Sequence, residues 1–231
     1  AGVGTDKAGG DISLRGGNYS IFSNALQQAL AQTQEQNQQA IIFVNRRGES
    51  TFVMCRDCGY VARCPRCQSA LMEHANKNLS CNHCNFKTSS PLLCPSCRSP
   101  RIKGFGTGVE KVERELKRIL PAAKIARLDA TLTPSLKNLS QRYQELISGK
   151  IDILVGTQSV LPLSSPNLIL IAAINIDSIL NFPDWQTDER AWHILHQISR
   201  RDGNGQAIIQ TYNPDNKILR QLGRGEFNSF Y

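Results

Sequence analysis

The chain has 231 residues, of which 40% are hydrophobic and 20% are charged, values that suit one globular domain carrying a small insertion. Its longest strongly apolar run, Leu168–Ile174, is far shorter than the roughly 20 residues that cross a bilayer, which excludes a membrane-spanning protein. The formal net charge of +8 falls to +4 if eight cysteine thiolates hold two zinc ions, so the charge by itself is weak evidence for a nucleic-acid partner.

The composition of the N-terminal region changes at Ser20, from glycine-rich to a helical pattern. Residues 1 to 18 contain six glycines and little apolar material, which predicts a flexible N-terminal lead outside any core. Ser20 can cap a helix whose apolar positions, among them Leu26 and Leu30, recur at helical spacing. A short apolar run over residues 41 to 44 then predicts a buried strand.

All eight cysteines lie in the next stretch, as four CxxC pairs. The pairs are Cys55/Cys58, Cys64/Cys67, Cys81/Cys84 and Cys94/Cys97. Two thiolates separated by two residues can bind one side of a tetrahedral ion, so four pairs predict two closed zinc sites that stabilise the fold and perform no chemistry. The alternative is a disulfide framework. Regular CxxC spacing and an N-terminus without an apolar signal segment favour metal, and metal-bound thiols predict a reducing cytoplasm.

The four pairs could combine on two ions in three ways, and the spacers favour one of them. Five residues separate Cys58 from Cys64, whereas thirteen separate Cys67 from Cys81, which leaves room for a short hairpin. A nested arrangement is therefore predicted. Zinc 1 would be held by Cys55, Cys58, Cys94 and Cys97, and zinc 2 by Cys64, Cys67, Cys81 and Cys84.

Basic side chains are frequent between and beside the cysteines. They are Arg56, Arg63, Arg66, Lys77, Lys87, Arg98, Arg101 and Lys103. One interpretation is a solvated surface attracted to the zinc thiolate clusters, each of which carries a net charge of about −2. The other is a contact with phosphate groups or with a protein.

Strands and helices alternate after the cysteine region. Residues 109 to 119 place apolar side chains on one stripe, and Gly104, Gly106 and Gly108 are expected to form the turn into that helix. Further strands are predicted at 124–128, 151–155, 168–174 and 207–211, with helices at about 134–147, through Ala191 to Ile198, and from Pro214. This alternation predicts an α/β fold with a parallel sheet covered on both faces. Ligands are then expected at the carboxyl ends of strands, at residues 45–48, 129, 156–158 and 175–184.

Eight motifs in order resemble one family, the PriA-type replication restart helicase of bacteria, also called primosomal replication protein N-prime. They are IIFVNRRG, CRDCGYVARCPRC, CNHC, CPSC, FGTGVEKVEREL, DILVGTQ, NFPDWQTDER and IIQTYNPD, and the resemblance as a whole covers roughly residues 20 to 231. The resemblance implies the second RecA-like lobe of a superfamily 2 helicase, formed by residues 19–54 and 104–231, with a two-zinc module inserted at 55–103. It also implies nested zinc pairing.

The same resemblance implies a set of residues that face nucleic acid or nucleotide. They are Arg46, Arg47, Gly156, Thr157, Gln158, Gln197 and Arg201. Asp177, Asp184, Glu189 and Arg190 also match the family pattern and are expected to hold the loop rather than to act as acids or bases.

Three departures from the family bear on catalysis. The chain contains no GxxxxGK[ST] motif, and the segment after GTQ reads SVLPLSSPN where the family carries charged residues. The family motif QxxGRAGR stands here as QISRRDGN, with Asn204 at the position of the arginine that neutralises the transferring phosphate. No ATP hydrolysis is therefore expected from this chain alone. ATP and magnesium would bind only if a first motor lobe completed the site.

Three functions follow from these motifs. The first is a helicase-like lobe in replication restart and primosome assembly that binds forked or single-stranded DNA and is not catalytic on its own. The second is a fragment of an active ATP-dependent 3'–5' DNA helicase whose first lobe lies elsewhere. The third is a zinc-ribbon scaffold that recruits primosome proteins.

Overall fold

The computed structural model describes residues 3–7, 20–45, 51–73, 78–81, 83–105, 108–128, 136–174, 176–181, 186–199 and 205–225. The strands are β1 (Val3–Lys7), β2 (Gln39–Val44), β3 (Thr51–Cys55), β4 (Met72–Glu73), β5 (Asn78–Ser80), β6 (Lys87–Ser89), β7 (Ile102–Phe105), β8 (Ile125–Leu128), β9 (Ile153–Gly156), β10 (Leu168–Ile174) and β11 (Gln206–Thr211). The helices are α1 (Asn24–Glu35), α2 (Val109–Ile119), α3 (Leu136–Ile147), α4 (Asp177–Leu180), α5 (Thr187–Ser199) and α6 (Lys217–Gly223), with a short 3₁₀ helix at Gln158–Val160.

Six strands form a parallel sheet, called here the large sheet, in the order β1-β11-β10-β2-β9-β8. Every residue of the central strand β2 is buried. A strand that is buried on both faces needs a cover on each side, and helices supply it. The predicted α/β architecture with a parallel sheet flanked by helices is therefore confirmed.

Alternate residues of the central strands lie in two separate hydrophobic cores, one on each face of the large sheet. On one face Ile41 and Phe43 pack in a cluster with residues of α3, α5 and α6, such as Leu195. On the other face Ile42 packs in a cluster with residues of α1 and α2, such as Leu116. The two-residue period of the strands thus divides the helices between the faces.

The remaining five strands form an antiparallel sheet, called here the small sheet, in the order β6-β5-β4-β3-β7. β4 and β5 are the hairpin for which the spacer between Cys67 and Cys81 leaves room. The buried apolar residues of the small sheet form two clusters of their own, one around Val53 and Leu79 and one around Phe52 and Met72. The small sheet therefore has its own core.

The structure differs from the sequence prediction at the N-terminus. Val3–Lys7 forms a strand, in parallel register with β11, where a flexible segment was predicted. An edge strand is held mainly by backbone hydrogen bonds, so a glycine-rich composition does not reveal it. The first helix begins later than predicted, because Ser23, not Ser20, caps it by accepting a hydrogen bond from the Leu26 N–H.

Three local features also escaped the sequence prediction. Gly104 belongs to β7 and does not lie in a turn, because it pairs with Val53 across the small sheet. The 3₁₀ helix and α4 are each a single turn, too short for hydrophobic periodicity to appear. No helix among the described residues is long and apolar enough to cross a membrane.

Candidate metal centres and the carboxyl edge of the large sheet

The structure gathers the eight cysteines into two groups of four. One contains Cys55, Cys58, Cys94 and Cys97, and the other contains Cys64, Cys67, Cys81 and Cys84; within each group all sulfur atoms lie within 4.8 Å of one another. We call the first the neck tetrad, because Cys55 ends β3, and the second the distal tetrad. This is the nested grouping that the spacers favoured.

The sulfur separations suit a four-thiolate metal ion. A tetrahedral zinc with bonds of about 2.3 Å sets its sulfur atoms about 3.8 Å apart. The Cys55–Cys97 and Cys58–Cys94 distances are both 3.6 Å. In the distal tetrad the distances run from 3.3 Å for Cys67–Cys81 to 3.8 Å for Cys67–Cys84. These separations are far longer than a disulfide bond of about 2.05 Å, and all eight cysteines are free thiols.

One backbone turn is repeated at all four CxxC pairs. In each, the first cysteine donates its N–H to the carbonyl five residues ahead, and its own carbonyl accepts the N–H four residues ahead. Written from N–H donor to carbonyl acceptor, the hydrogen bonds of the four turns are Cys55→Tyr60 and Gly59→Cys55, Cys64→Ser69 and Gln68→Cys64, Cys81→Phe86 and Asn85→Cys81, and Cys94→Ser99 and Arg98→Cys94. The repeated turn presents both sulfur atoms on the same side, which is what a shared ion requires.

The residue after each second cysteine adopts a positive φ. Gly59 has φ 75°, whereas Gln68, Asn85 and Arg98 have φ between 56° and 61°. Non-glycine residues adopt this left-handed conformation at a cost of about 1–2 kcal/mol. At the first turn the space also favours glycine, because a Cβ on Gly59 would lie 3.0 Å from the carbonyl oxygen of Tyr212.

The thiols of the distal tetrad differ in acidity before metal binds. Hydrogen bonds from the backbone and the side chain of Ser69 lower the pKa of Cys67 to about 6. At Cys84 the Phe86 backbone lowers the pKa, but burial and the neighbouring Cys64 outweigh it and raise the pKa to about 12. One thiol is thus ready to bind a cation at neutral pH, whereas another must first lose a proton.

The neck tetrad has the same asymmetry. Burial raises the pKa of Cys94, but the backbone N–H groups of Cys97 and Ser96 prevail and lower it to about 7. At Cys97 the Ser99 backbone lowers the pKa, while Cys58 and burial raise it to about 12. In both tetrads a divalent cation must displace protons in order to bind four thiolates.

Zinc affinity should therefore rise with pH across the neutral range. Because thiols with a pKa of about 12 are protonated at pH 7, each binding event releases protons and is opposed by acid. Calorimetric titration of zinc into the reduced chain, in buffers of different ionisation enthalpy, measures the protons released. A Ser96→Ala variant, which keeps all eight thiols, should behave as the parent chain. An affinity that does not change between about pH 6 and pH 8 would contradict the four-thiolate site.

The small sheet is anchored to the carboxyl edge of the large sheet through the residue that follows β11. The Tyr212 ring packs against the cluster around Phe52 and Met72, and its N–H donates to the Asp177 carboxylate at 3.1 Å. The Thr211 hydroxyl donates to the same carboxylate at 2.8 Å. Burial raises the pKa of Asp177 above that of an exposed carboxyl, although these donors oppose the shift.

A second contact lies beside the first. Arg63, one residue before the distal tetrad begins, donates from its guanidinium to the Asn181 side chain at 3.2 Å. Asn181 in turn donates to the Asp177 carbonyl at 2.9 Å. Asp177 thus joins α4 to β11, and Asn181 joins α4 to the cysteine region.

A surface cavity of about 560 Å³ opens at the carboxyl end of β9. Gly156 is the last residue of that strand, Thr157 is half-buried, and the exposed Gln158 lines the cavity. Gln197, near the end of α5, also lines it. The structure therefore brings together two of the predicted nucleic-acid or nucleotide residues that are far apart in sequence.

Other polar residues of the cavity were not predicted as ligand-facing. Glu189 and His193 line it together with Gln186 and Arg190. Glu189, His193 and Gln197 follow one another at intervals of four residues, which places them on one stripe of α5 opposite the buried stripe. That spacing was the available sequence signal. The His193 imidazole lies 3.8 Å from the Glu189 carboxylate, and both side chains are more than half exposed.

Three predicted site residues lie outside the part of the chain that the structure describes. They are Arg46, Arg47 and Arg201, and Asn204 lies outside it as well. Their roles stay predictions from the sequence.

The chain is similar over most of its length to curated proteins named Replication restart protein PriA. It is 38% identical to the protein of Bacillus subtilis and 38% identical to that of Synechocystis over 94% of the chain, and 35% identical to that of Thermotoga maritima over 91%. It spans only 28%, 27% and 29% of these relatives. No family model matches the chain. The resemblance predicted from the motifs is thus confirmed for a portion of such proteins.

Proposed function

We propose that this chain acts in replication restart as the second RecA-like lobe of a PriA-like helicase, with residues 55–103 as its zinc-binding insertion. The observation that carries the proposal is the similarity to PriA proteins over 94% of the chain, which takes in both the cysteine pairs and the edge of the large sheet. The parallel sheet covered on both faces supports a RecA-like lobe.

The neck and distal tetrads would each hold one zinc ion. Four thiolates at tetrahedral separations favour zinc among the common divalent metals, since magnesium and calcium prefer oxygen ligands. A shell of four cysteines has no open position for water, so the metal would supply folding energy and no chemistry. The ions would fix the small sheet at the carboxyl edge of the large sheet.

The cavity would be this lobe's share of the nucleotide and DNA site. Gln158 and Gln197 present amide groups, which can hydrogen-bond to phosphate or base atoms but add no positive charge. ATP hydrolysis by a helicase of this type uses a P-loop, a magnesium ion and an arginine near the transferring phosphate, and Asn204 stands where that arginine is expected. The chain would therefore bind DNA without hydrolysing ATP by itself.

Zinc content and ATP hydrolysis measured together, with and without forked DNA, test this proposal. The chain alone should hold two zinc ions, bind forked or single-stranded DNA with an affinity that falls as salt rises, and show no DNA-stimulated hydrolysis. The same chain joined to the first motor lobe of a PriA protein should be assayed in parallel. Activity of the joined protein would favour the fragment of an active helicase over a lobe that only binds. Turnover by the chain alone would contradict the proposal.

Replacement of Gln197 tests the cavity itself. Gln197→Ala removes an exposed amide and leaves the core unchanged, so DNA affinity should fall by a few fold with stability unaltered. Gln141→Ala, on the exposed side of α3, is the matched control. Equal DNA affinities for the two variants, measured by fluorescence anisotropy, would remove the cavity from the DNA-binding surface.

A further inference from the structure

The small sheet ends in a strand whose outer side is open. β6 pairs with β5 on one side, and among the described residues no strand pairs with the other. All three residues of β6, Lys87, Thr88 and Ser89, are exposed. Unpaired backbone groups on a sheet edge can pair with an extended segment of another chain.

The hydrogen-bond alternation of an antiparallel pair shows which backbone groups face outward. Cys81 donates its N–H to the Phe86 carbonyl, so these two residues form a hydrogen-bonded pair. Along the same register, the pair of Lys87 with Ser80 is not hydrogen-bonded, the pair of Thr88 with Leu79 is, and that of Ser89 with Asn78 is not. The N–H and C=O groups of Lys87 and Ser89 therefore point away from β5, toward the open edge.

Two exposed leucines follow this edge. Leu92 is 90% exposed and Leu93 is 53% exposed, and they come directly before Cys94 of the neck tetrad. Elsewhere in the small sheet the large apolar side chains, such as Leu79 and Ile102, are buried. The adjacent leucines begin three residues after β6 ends, and they offer exposed apolar surface of the kind that bound peptides cover.

The charge of the residues near this edge indicates which kind of peptide it would bind. No acidic residue occurs in the sequence between Glu73 and Glu110, whereas the exposed Lys87, Arg98 and Lys103 do. Arg101 is paired with Asp57 at 2.7 Å, so its charge is already offset. Lys87 lies in the edge strand itself. A second copy of this basic edge would be repelled, and an acidic segment would be attracted.

We propose that β6 and the Leu92–Leu93 pair form a docking edge for an extended acidic peptide of a partner protein, which adds a strand to the small sheet and places apolar side chains on the leucines. This inference rests on the proposed role in replication restart, where such a segment would belong to a partner in the restart complex. Main-chain hydrogen bonds to Lys87 and Ser89 would provide affinity, and the leucines and lysine would provide selectivity.

Selection from a displayed library of random linear peptides, against the zinc-loaded full chain, tests the proposal. Enriched peptides should carry acidic residues and apolar residues at alternate positions. Fluorescein-labelled copies should bind Leu92→Ser and Ser89→Pro about tenfold or more weakly than the parent chain. Proline at position 89 removes an outward N–H and leaves the inward hydrogen bonds of the β5–β6 pair in place.

Matched controls separate docking from general damage. Ile147→Ser removes another exposed apolar residue, at the end of α3, and Ser89→Ala keeps the outward N–H; both should bind the peptides as the parent chain does. Zinc content and forked-DNA binding should be the same in all four variants, so a failure of peptide docking is distinguishable from a failure of the proposed function.

Three results would overturn the proposal. The first is a library without enrichment of acidic and apolar peptides. The second is unchanged binding of enriched peptides by Leu92→Ser and Ser89→Pro. The third is a loss of labelled oligothymidine binding in those variants without a loss of peptide binding, which would assign the edge to single-stranded DNA.

Discussion

Removal of both metal ions should unfold the small sheet while the large sheet stays folded. Four of the nine buried residues in the cluster around Val53 and Leu79 are cysteines, so without metal this core loses the interaction that holds it together. Each structural zinc supplies roughly 10–16 kcal/mol of apparent binding free energy in zinc-finger peptides at pH 7. A core of so few apolar residues does not replace that free energy.

Hydrogen exchange before and after chelation measures the effect strand by strand. Amide protection in β3 and β7 should fall to that of an unfolded segment, and protection in β2 and β10 should be retained, because those strands pack in cores that contain no cysteine. Heating of the chelated chain should then show a single transition, that of the large sheet.

Single cysteine variants show which tetrad stabilises which part of the small sheet. Cys94→Ser should lose the neck ion and destabilise β3, since Cys55 of the same tetrad ends that strand. Cys81→Ser should lose only the distal ion. Ser96→Ala changes a side chain outside both tetrads and should retain two zinc ions by mass spectrometry under native conditions. Undiminished protection of β3 in Cys94→Ser would show that the small sheet does not depend on metal.

The metal-binding pattern is visible in the sequence because it depends on local spacing. The spacing of two residues within each pair fixes a turn, and the thirteen-residue spacer leaves room for β4 and β5. The docking of the small sheet is not visible, because it depends on Tyr212 and Asn181, which lie far along the chain from the cysteines. Nothing in the spacing of Arg63 points to Asn181.

The large sheet was likewise predictable only in part from the sequence. Its helices and central strands follow from hydrophobic periodicity, whereas β1 pairs through backbone groups and α4 is too short for periodicity. The cavity itself was not predicted from the sequence. The motif resemblance picked out Gln158 and Gln197, but the stripe that adds Glu189 and His193 required the orientation of α5 against the 3₁₀ helix.

Gly156→Ala should be strongly destabilising and should displace Gln158 from the cavity. A Cβ at this position would come closer to the Leu128 carbonyl oxygen and to a methyl carbon of Val160 than non-bonded atoms approach. Gly156 pairs with Leu128 of β8 on one side and with Phe43 of β2 on the other, so the backbone cannot move aside without breaking a strand pair. Overpacking of this kind costs about 1–3 kcal/mol, and occasionally more, in free energy of unfolding.

Gly223→Ala is the matched control for Gly156→Ala. Gly223 ends α6, and a Cβ built there meets nothing within 4 Å beyond its chain neighbours and the backbone of its own helix. Alanine favours the helix by up to about 1 kcal/mol. Urea denaturation should therefore show opposite shifts for the two glycine variants, with the loss for Gly156→Ala the larger. Because the 3₁₀ helix starts two residues after Gly156, that variant should also bind forked DNA more weakly under conditions where it is fully folded. If Gly156→Ala is destabilised yet binds DNA with parental affinity, the end of β9 takes no part in DNA binding. Equal stability of both glycine variants would instead contradict the packing of Val160 and Leu128 against Gly156.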